Sequence, residues 1–293
     1  MRPFAFINAH AGGVKDPVAL KSRLRDRGWM VRCSSSSGDA GRDIVGDAVA
    51  QGADCLVAVG GDGTINRLVN GMMAVEASLP LGVIPMGTGN DIARTLNIPS
   101  EVDAAIEVVQ VGHPIDYDVF SMKSEQGLWY GVNASSGGFG GVVDEALSSE
   151  LKAQWGPLAY LVGAAKALAR LEGYETSISY DEGPAESMRV LNVVVANGRS
   201  AAGGHVVAPK ADPRDGLLDV VIVQWGPAAE LTEVGARLMA GNYLDSPLVR
   251  HRRAQSVRVE SNRQMRFNID GELVAQDPVQ FRLHPKSISV IAK

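Results

Sequence analysis

Short apolar runs recur along the early part of the chain, and the stretches between them repeat apolar residues at helical spacing. Phe4–Ile7, Met30–Cys33, Cys55–Val59 and Leu81–Ile84 have the length and β-branched character of buried strands. Between them, Asp16–Arg27 places Val18, Leu20 and Leu24 at helical intervals, Asp39–Gln51 reads as a helix, and Ile65–Met73 puts Ile65, Leu68, Val69 and Met72 on one face. Strand and helix in alternation imply a parallel sheet covered on both faces. After about Asp116 the rhythm changes to short runs separated by turn signals: Tyr174–Tyr180, Arg189–Ala196, Leu218–Gln224, Ser256–Glu260, Met265–Ile269 and Val279–Leu283. That pattern predicts an antiparallel β-sandwich, interrupted by helical stretches at Val142–Leu171 and Ala228–Met239. The expected fold class is therefore α/β: an N-terminal, mostly parallel sheet with helices on both faces, then a C-terminal antiparallel β-sandwich. The expected domains are 1–118 and 119–293, the last strand returning to the first domain, with the active site in the cleft between them.

Composition narrows the function classes. With 45% hydrophobic and 21% charged residues the 293-residue chain can bury two cores, and a net charge of -5 argues against a nucleic-acid partner held by backbone electrostatics. Its two cysteines, Cys33 and Cys55, lie in apolar runs without a C-x-x-C pair, and so read as reduced core residues of a cytoplasmic protein without zinc. The N-terminal apolar run is too short for a signal peptide or a membrane span and reads as the first strand.

Candidate chemistry sits in three Gly/Asn-rich turns at the carboxyl ends of the predicted strands: Asn8–Gly13, Gly60–Asn66 and Pro85–Asp91. Ligands of open parallel sheets bind at that edge. In Gly60-Gly61-Asp62-Gly63-Thr64-Ile65-Asn66 the glycines let backbone approach a bulky anion, and the following helix points its N–H groups at it. A carboxylate in the middle repels phosphate unless a Mg²⁺ or a proton in transfer lies between, so Asp62 suggests phosphoryl chemistry. A tight turn with a solvated Asp is the bland alternative, and Asn90-Asp91 could simply cap a helix at Ile92. The chain contains no G-x-x-x-x-G-K-[ST], H-E-x-x-H or G-x-S-x-G, and neither G-x-G has its third small residue, which leaves a Rossmann dinucleotide site a weak alternative.

Gly60–Asn66 together with Pro85-Met86-Gly87-Thr88-Gly89-Asn90-Asp91 resembles the diacylglycerol kinase catalytic-domain family, especially the soluble bacterial diacylglycerol kinases and YegS-like lipid kinases, relatives of sphingosine and ceramide kinases. The resemblance extends to Asn8 and Gly12-Gly13, Gly203-Gly204, Ala208-Pro209-Lys210-Ala211, Asp215–Asp219 and Asp270-Gly271-Glu272, in order along nearly the whole chain. It implies that Asn8, Gly12, Gly13, Ser34, Gly60, Gly61, Asp62, Gly63, Thr64, Asn66, Gly87 and Thr88 hold ATP, and that Asp62 and Asp91 organise the catalytic Mg²⁺. It further implies a second, structural Mg²⁺ on Asp215, with backbone carbonyls at Asp212 and Leu217. Asp270-Gly271 is by itself the strongest short hairpin signal. In the family this Asp-Gly-Glu enters the cleft, and either Asp270 or Glu272 is the base for the acceptor hydroxyl. The chain departs from the family at Arg67, where Glu or His is usual, and at Ala9-His10-Ala11, where Pro and Ser are common.

The resulting expectation is an ATP- and Mg²⁺-dependent lipid kinase, cytoplasmic and reversibly associated with a membrane surface without spanning it. A homodimer is left open. The alternatives are an NAD kinase, which shares the GGDG turn and the order of domains, and a catalytically silent nucleotide- or lipid-binding protein. Four carboxylates, Asp62, Asp91, Asp270 and Glu272, speak against the silent protein. Arg250-His251-Arg252-Arg253 reads as a solvated loop in preference to a lipid-headgroup patch. Trp155, Leu158, Tyr160, Leu161 and Val162 fit a lipid entrance or interdomain core equally well.

Overall fold

The structure, a computed structural model, describes residues 1–34, 39–138, 173–201 and 203–293. β1 (Pro3–Ile7) leads through α1 (Pro17–Arg25) to β2 (Met30–Cys33), then through α2 (Gly41–Ala50) to β3 (Cys55–Gly60) and through α3 (Asp62–Val75) to β4 (Leu81–Pro85). These strands pair in parallel in the order β4-β3-β1-β2. β1, β3 and β4 are buried along their whole length, as apolar runs covered on both faces must be. Asp16 starts α1 by accepting from the Val18 and Ala19 N–H groups. α3 begins at Asp62, not Ile65, so the glycine turn is itself the first turn of the helix. α4 (Asp91–Thr95) and α5 (Val102–Val111) follow, the latter capped by Glu101 and packed through Ala105, Ile106 and Val109.

The second part contains β5 (His113–Ser124), β6 (Gly127–Gly131), β7 (Ala134–Gly138), β8 (Tyr174–Tyr180), β9 (Glu186–Ala196), β10 (Ser200–Ala201), β11 (His205–Val206), β12 (Leu218–Gln224), α6 (Ala228–Ala240), a short 3-10 helix (Tyr243–Asp245), β13 (Val249–Ala254), β14 (Ser256–Ser261), β15 (Arg266–Ile269), β16 (Glu272–Gln276) and β17 (Val279–Ala292). Strands of this part pair antiparallel with one another around a second core, where Phe281 lies between Phe120 (6.3 Å) and Phe267 (5.7 Å). α6 covers the outer face of β9 and β12 through a third cluster that includes Val234, Val194, Val221 and Tyr243.

β5 and β17 tie the two parts together. β17 pairs with β14 and β5, breaks register between His284 and Ile288, where Lys286 has φ 53°, and then meets β4 in parallel at Val290 and Leu81. Along β5, Tyr117 and Val119 belong to the first core while Phe120 and Met122 belong to the second. Fully buried Asp118 holds the crossing: its carboxylate accepts from Lys286 N (2.7 Å) and Gly216 N (2.9 Å). The cleft is thus framed by one continuous hydrogen-bonded sheet, which fixes how its walls face.

Two expectations change. Arg250–Arg253 is not a solvated loop but part of β13, with Arg250 and Arg252 both beside Glu186, Arg252 over the Tyr180 ring, and His251 and Arg253 turned to Asp219. Cys33 is half-buried while Cys55 is core, where burial pushes its thiol up to about 12 and keeps it unreactive. The Val142–Leu171 stretch, with Trp155, Leu158, Tyr160, Leu161 and Val162, lies outside the described residues.

Candidate active site

The three turns converge. Asn8, following β1, donates from Nδ2 to Thr64 Oγ1 (3.0 Å); Ala9 N donates to the Ser34 hydroxyl (3.0 Å); and Gly13 N donates to Met86 O (2.9 Å). Gly61 and Gly87 meet backbone to backbone. A Cβ on Gly87 would lie 2.4 Å from Gly61 Cα, and one on Gly61 would lie 2.9 Å from Gly87 Cα, so neither turn admits a side chain there. At the start of α3, Gly61 supplies no capping side chain, which leaves first-turn N–H groups for an external acceptor. Asn90 occupies the cap position of α4, yet its side chain staples the loop instead, accepting from Gly87 N (2.9 Å) and donating to Gly87 O (2.8 Å).

Asp62 takes over that cap, its Oδ1 accepting from Ile92 N (3.2 Å). A Cβ on Gly89 would sit 2.9 Å from Asp62 Oδ2 and 3.5 Å from Asp91 Oδ2, so both carboxylates border one point beside the glycine loop. Burial pushes the Asp62 carboxyl above the usual carboxylate range, and the Asp91 charge adds to the rise, against the pull of N–H donors from α4. Asp91 is 4% exposed; its Oδ2 accepts from Gly203 N (3.0 Å), while Oδ1 has no protein partner. An orphaned buried carboxylate oxygen next to a second carboxylate is a donor set that suits a hard divalent cation with a largely aqueous shell. Mg²⁺ therefore fits here.

Across the cleft, β15 and β16 join through Asp270 (φ 47°) and Gly271 (φ 91°), a tight turn with both central residues left-handed. The Asp270 carboxylate is saturated. Oδ1 accepts from Asn133 N and Ala134 N (3.0 Å each), and Oδ2 from Val132 N (3.0 Å) and Asn66 Nδ2 (2.7 Å). Desolvation pushes its pKa up while those donors oppose it. Glu272 differs: it is exposed, has no hydrogen-bond or ion-pair partner among the described residues, and its Oε1 would be 3.7 Å from a Cβ on Gly63. One hairpin thus presents one occupied carboxylate and one open one, the open one against the first turn of α3.

Of the residues expected around a nucleotide, Asn8, Gly12, Gly13, Ser34, Gly60, Gly61, Asp62, Gly63, Thr64, Gly87 and Thr88 all lie on these turns or brace them. Asn66 stands at the end of its turn too, but its amide donates to Asp270 and the Tyr130 carbonyl. Two further residues shape the site: Asn70, which holds Asn66 and β6, and Arg94, whose Nε donates to Gly89 O (3.2 Å) beside Gly204. Nothing in their local sequence distinguishes them from ordinary helix-surface residues.

In the Asp212–Leu217 turn both carboxylates have partners within the protein. Asp215 is paired with Arg253 through Oδ2 and accepts from Leu217 N (3.0 Å) through Oδ1, while Asp212 turns to Arg214. A protein guanidinium stands beside Asp215, where the resemblance implies a structural Mg²⁺ together with the Asp212 and Leu217 carbonyls. No metal-binding group of three or more acidic, His or Cys side chains is present among the described residues.

Residues 2–122 match the family described as the Diacylglycerol kinase catalytic domain, and residues 134–292 match the YegS C-terminal NAD kinase beta sandwich-like domain. A diacylglycerol kinase of Staphylococcus carnosus is 33% identical over 80% of this chain and 75% of its own, and one of Staphylococcus saprophyticus 32% identical over 81% and 78%. Among solved structures, a diacylglycerol kinase of Bacillus anthracis aligns with a TM-score of 0.79 over all of this chain and 97% of its own at 21% identity. An NAD kinase of Archaeoglobus fulgidus in complex with ATP aligns at 0.55 and 13% identity, over 99% and 93%. At those identities the solved structures speak to the fold.

Proposed function

The chain belongs to the diacylglycerol kinase catalytic-domain family, and from that premise we propose that it transfers the γ-phosphoryl group of ATP to a lipid hydroxyl, that of diacylglycerol in the first instance. The observation that carries the reading is the open Glu272 carboxylate against the first turn of α3, the helix that begins at Asp62. Phosphoryl transfer asks for an oriented hydroxyl, an in-line path and compensated charge.

Each requirement has a residue. The Asn8–Gly13, Gly60–Thr64 and Gly87–Thr88 turns cradle the nucleotide phosphates with N–H groups and hydroxyls. Asp62 and Asp91 would hold Mg²⁺, which supplies charge compensation to the phosphates. Glu272 orients the acceptor hydroxyl and takes its proton as the new P–O bond forms. Asp270 is unsuited to that role, because its four acceptor positions are filled, and serves instead to fix the turn on which Glu272 stands. Beside Glu272, Leu273 is held 43% exposed, an apolar contact that suits a lipid acceptor better than a dinucleotide. No helix among the described residues is long and apolar enough to cross a membrane. In this reading the lipid acceptor is met by reversible peripheral association.

The test incubates the protein with γ-labelled ATP, Mg²⁺ and either dispersed diacylglycerol, a total lipid extract or NAD. Label in diacylglycerol is the expected result. Label in another lipid moves the acceptor and keeps the chemistry, label in NADP alone overturns the reading, and label in none points to a silent binder.

A further inference from the structure

We infer that Asn70, working through Asn66, is a positioning residue that sets the distance between the phosphate-binding turn and the Glu272 hairpin; the inference rests on the proposed role of Glu272. Asn70 lies in the middle of α3, one helical turn beyond the end of the Gly60–Asn66 turn, and of the residues in the three turns its side chain hydrogen-bonds to Asn66. Its side-chain amide instead pairs with strand β6 as a neighbouring strand would: Oδ1 accepts from Tyr130 N (3.0 Å) and Nδ2 donates to Tyr130 O (2.9 Å). Both polar groups of that otherwise open stretch of edge strand are thereby satisfied by a helix.

The same Nδ2 also donates to Asn66 Oδ1 (3.0 Å) and Asn66 O (2.9 Å). That contact decides which way the Asn66 amide lies. With its oxygen held by Asn70, Asn66 must present its NH₂ to the other side, where it meets Tyr130 O (2.9 Å) and Asp270 Oδ2 (2.7 Å). A reversed amide would set an oxygen against the Asp270 carboxylate, a repulsive contact in a desolvated place. The relay therefore runs from Asn70 to Asn66 to Asp270, and Asp270 is the first residue of the turn that ends in Glu272. Since Asn66 sits one turn along the helix whose start forms the phosphate cradle, the base-bearing hairpin is referenced to the cradle by two amides and one carboxylate. Val132, Asn133 and Ala134 N–H groups hold the hairpin to its own sheet, and Asn66 alone among the Asp270 donors comes from the nucleotide side.

Asn70→Asp separates positioning from bulk. The new carboxylate still accepts from Tyr130 N but donates to neither Asn66 nor Tyr130, so Asn66 is free to turn. With diacylglycerol in mixed micelles, kcat is expected to fall roughly 10- to 100-fold, as for a displacement of about 1 Å, while the KM for ATP stays within about twofold. Introduced on top of Glu272→Gln, the same substitution should cost nothing further, since the group it positions is already gone. Hydrogen exchange gives a readout independent of the acceptor: amides 130–134 and the 270–272 turn should exchange faster, with those of β1, β3 and β4 unchanged. Asn70→Ala, which adds no charge, should behave alike.

A full-sized loss in the Glu272→Gln background, an unchanged kcat in both Asn70 variants, or exchange that rises throughout the molecule would overturn the inference. Full activity of Glu272→Gln alone would instead remove the proposed base, a separate failure. Should the wild-type protein leave diacylglycerol unlabelled, the exchange pattern decides on the relay: unchanged exchange at 130–134 rejects it.

Discussion

Replacing Gly87 by alanine tests the convergence of the turns directly. A Cβ there would stand 2.4 Å from Gly61 Cα and 3.0 Å from Asn90 Oδ1. Ordinary carbon–carbon contact is about 3.7 Å, so the Gly60–Asn66 turn and the Pro85–Asp91 loop would have to part by about 1.3 Å, backbone against backbone, with no flexible side chain to yield. Overpacking of this kind costs about 1–3 kcal/mol, a fall in Tm of roughly 2–5 °C for a chain of this size. The functional loss should be larger. A shift of that order at the phosphate cradle predicts a drop in kcat/KM of at least ~100-fold. Gly46→Ala is the matched control: it is exposed within α2 with nothing within 4 Å of its added Cβ, and it should stabilise by about 0.5–1 kcal/mol with turnover intact. Differential scanning fluorimetry and the labelled-ATP assay read both. If Gly87→Ala melts and turns over like the wild type, the two turns are not in contact and the site has been assembled wrongly.

Other outcomes follow from the same geometry. Glu272→Gln should lower kcat by about 10²–10⁴-fold with Tm unchanged, because an exposed, unpartnered carboxylate contributes chemistry and not packing; a lowered Tm with full activity would refute this. Asp62→Asn keeps an acceptor for Ile92 N while removing a desolvated charge, so turnover should be lost as Tm holds or rises; near-normal turnover would mean Asp62 holds no ion. Chelation of divalent ions should abolish transfer without lowering the Tm of the nucleotide-free protein, since Arg253 already balances Asp215; a clear fall in Tm would reveal a structural cation. Burial holds the His284 ring, whose Nε2 lies 2.8 Å from Ser121 Oγ, below its ordinary pKa of 6.5, with Arg282 adding to the effect. The neutral form is the one the fold prefers, so this contribution is complete above pH 6.5 and is lost as pH falls from there through the folded value. His284→Gln should therefore flatten the loss of Tm between pH 7.5 and 5.5, and an identical slope would refute the assignment.

The parallel half of the fold was legible because its signals are local. Four apolar runs flanked by helical spacing can only be read as covered parallel strands, and β2 has the predicted ends, Met30 and Cys33. β8 and β12 were equally plain, at Tyr174–Tyr180 and Leu218–Gln224. What the residues could not announce is pairing. Val279–Leu283 looks like one short strand, yet β17 runs on to Ala292 because its second half finds β5 and β4, partners more than a hundred and fifty residues away along the chain. β13 was hidden for a related reason: the charges of Arg250, Arg252 and Arg253 read as solvated until Glu186, Asp215 and Asp219 are brought opposite them.

The site divides along the same line. Glycines that must lack a side chain, and an Asp where phosphate should repel one, carry their reason in their type, so Gly61, Gly87, Asp62 and Asp91 could be named from sequence. Direction cannot be read that way. Asp270 and Glu272 are two carboxylates on one turn, and only the N–H groups of Val132, Asn133 and Ala134 decide that the first is occupied and the second open. Asn66 is the sharper case. It stands in the phosphate-binding turn and has a suitable amide, and everything local assigns it to the ligand. Asn70, one helical turn on, takes the Asn66 oxygen and thereby points the nitrogen at the opposite wall of the cleft. A residue placed by its motif in the cradle is thus converted by one neighbour into the link between the cradle and the base, and that conversion depends on an amide orientation that no spacing encodes.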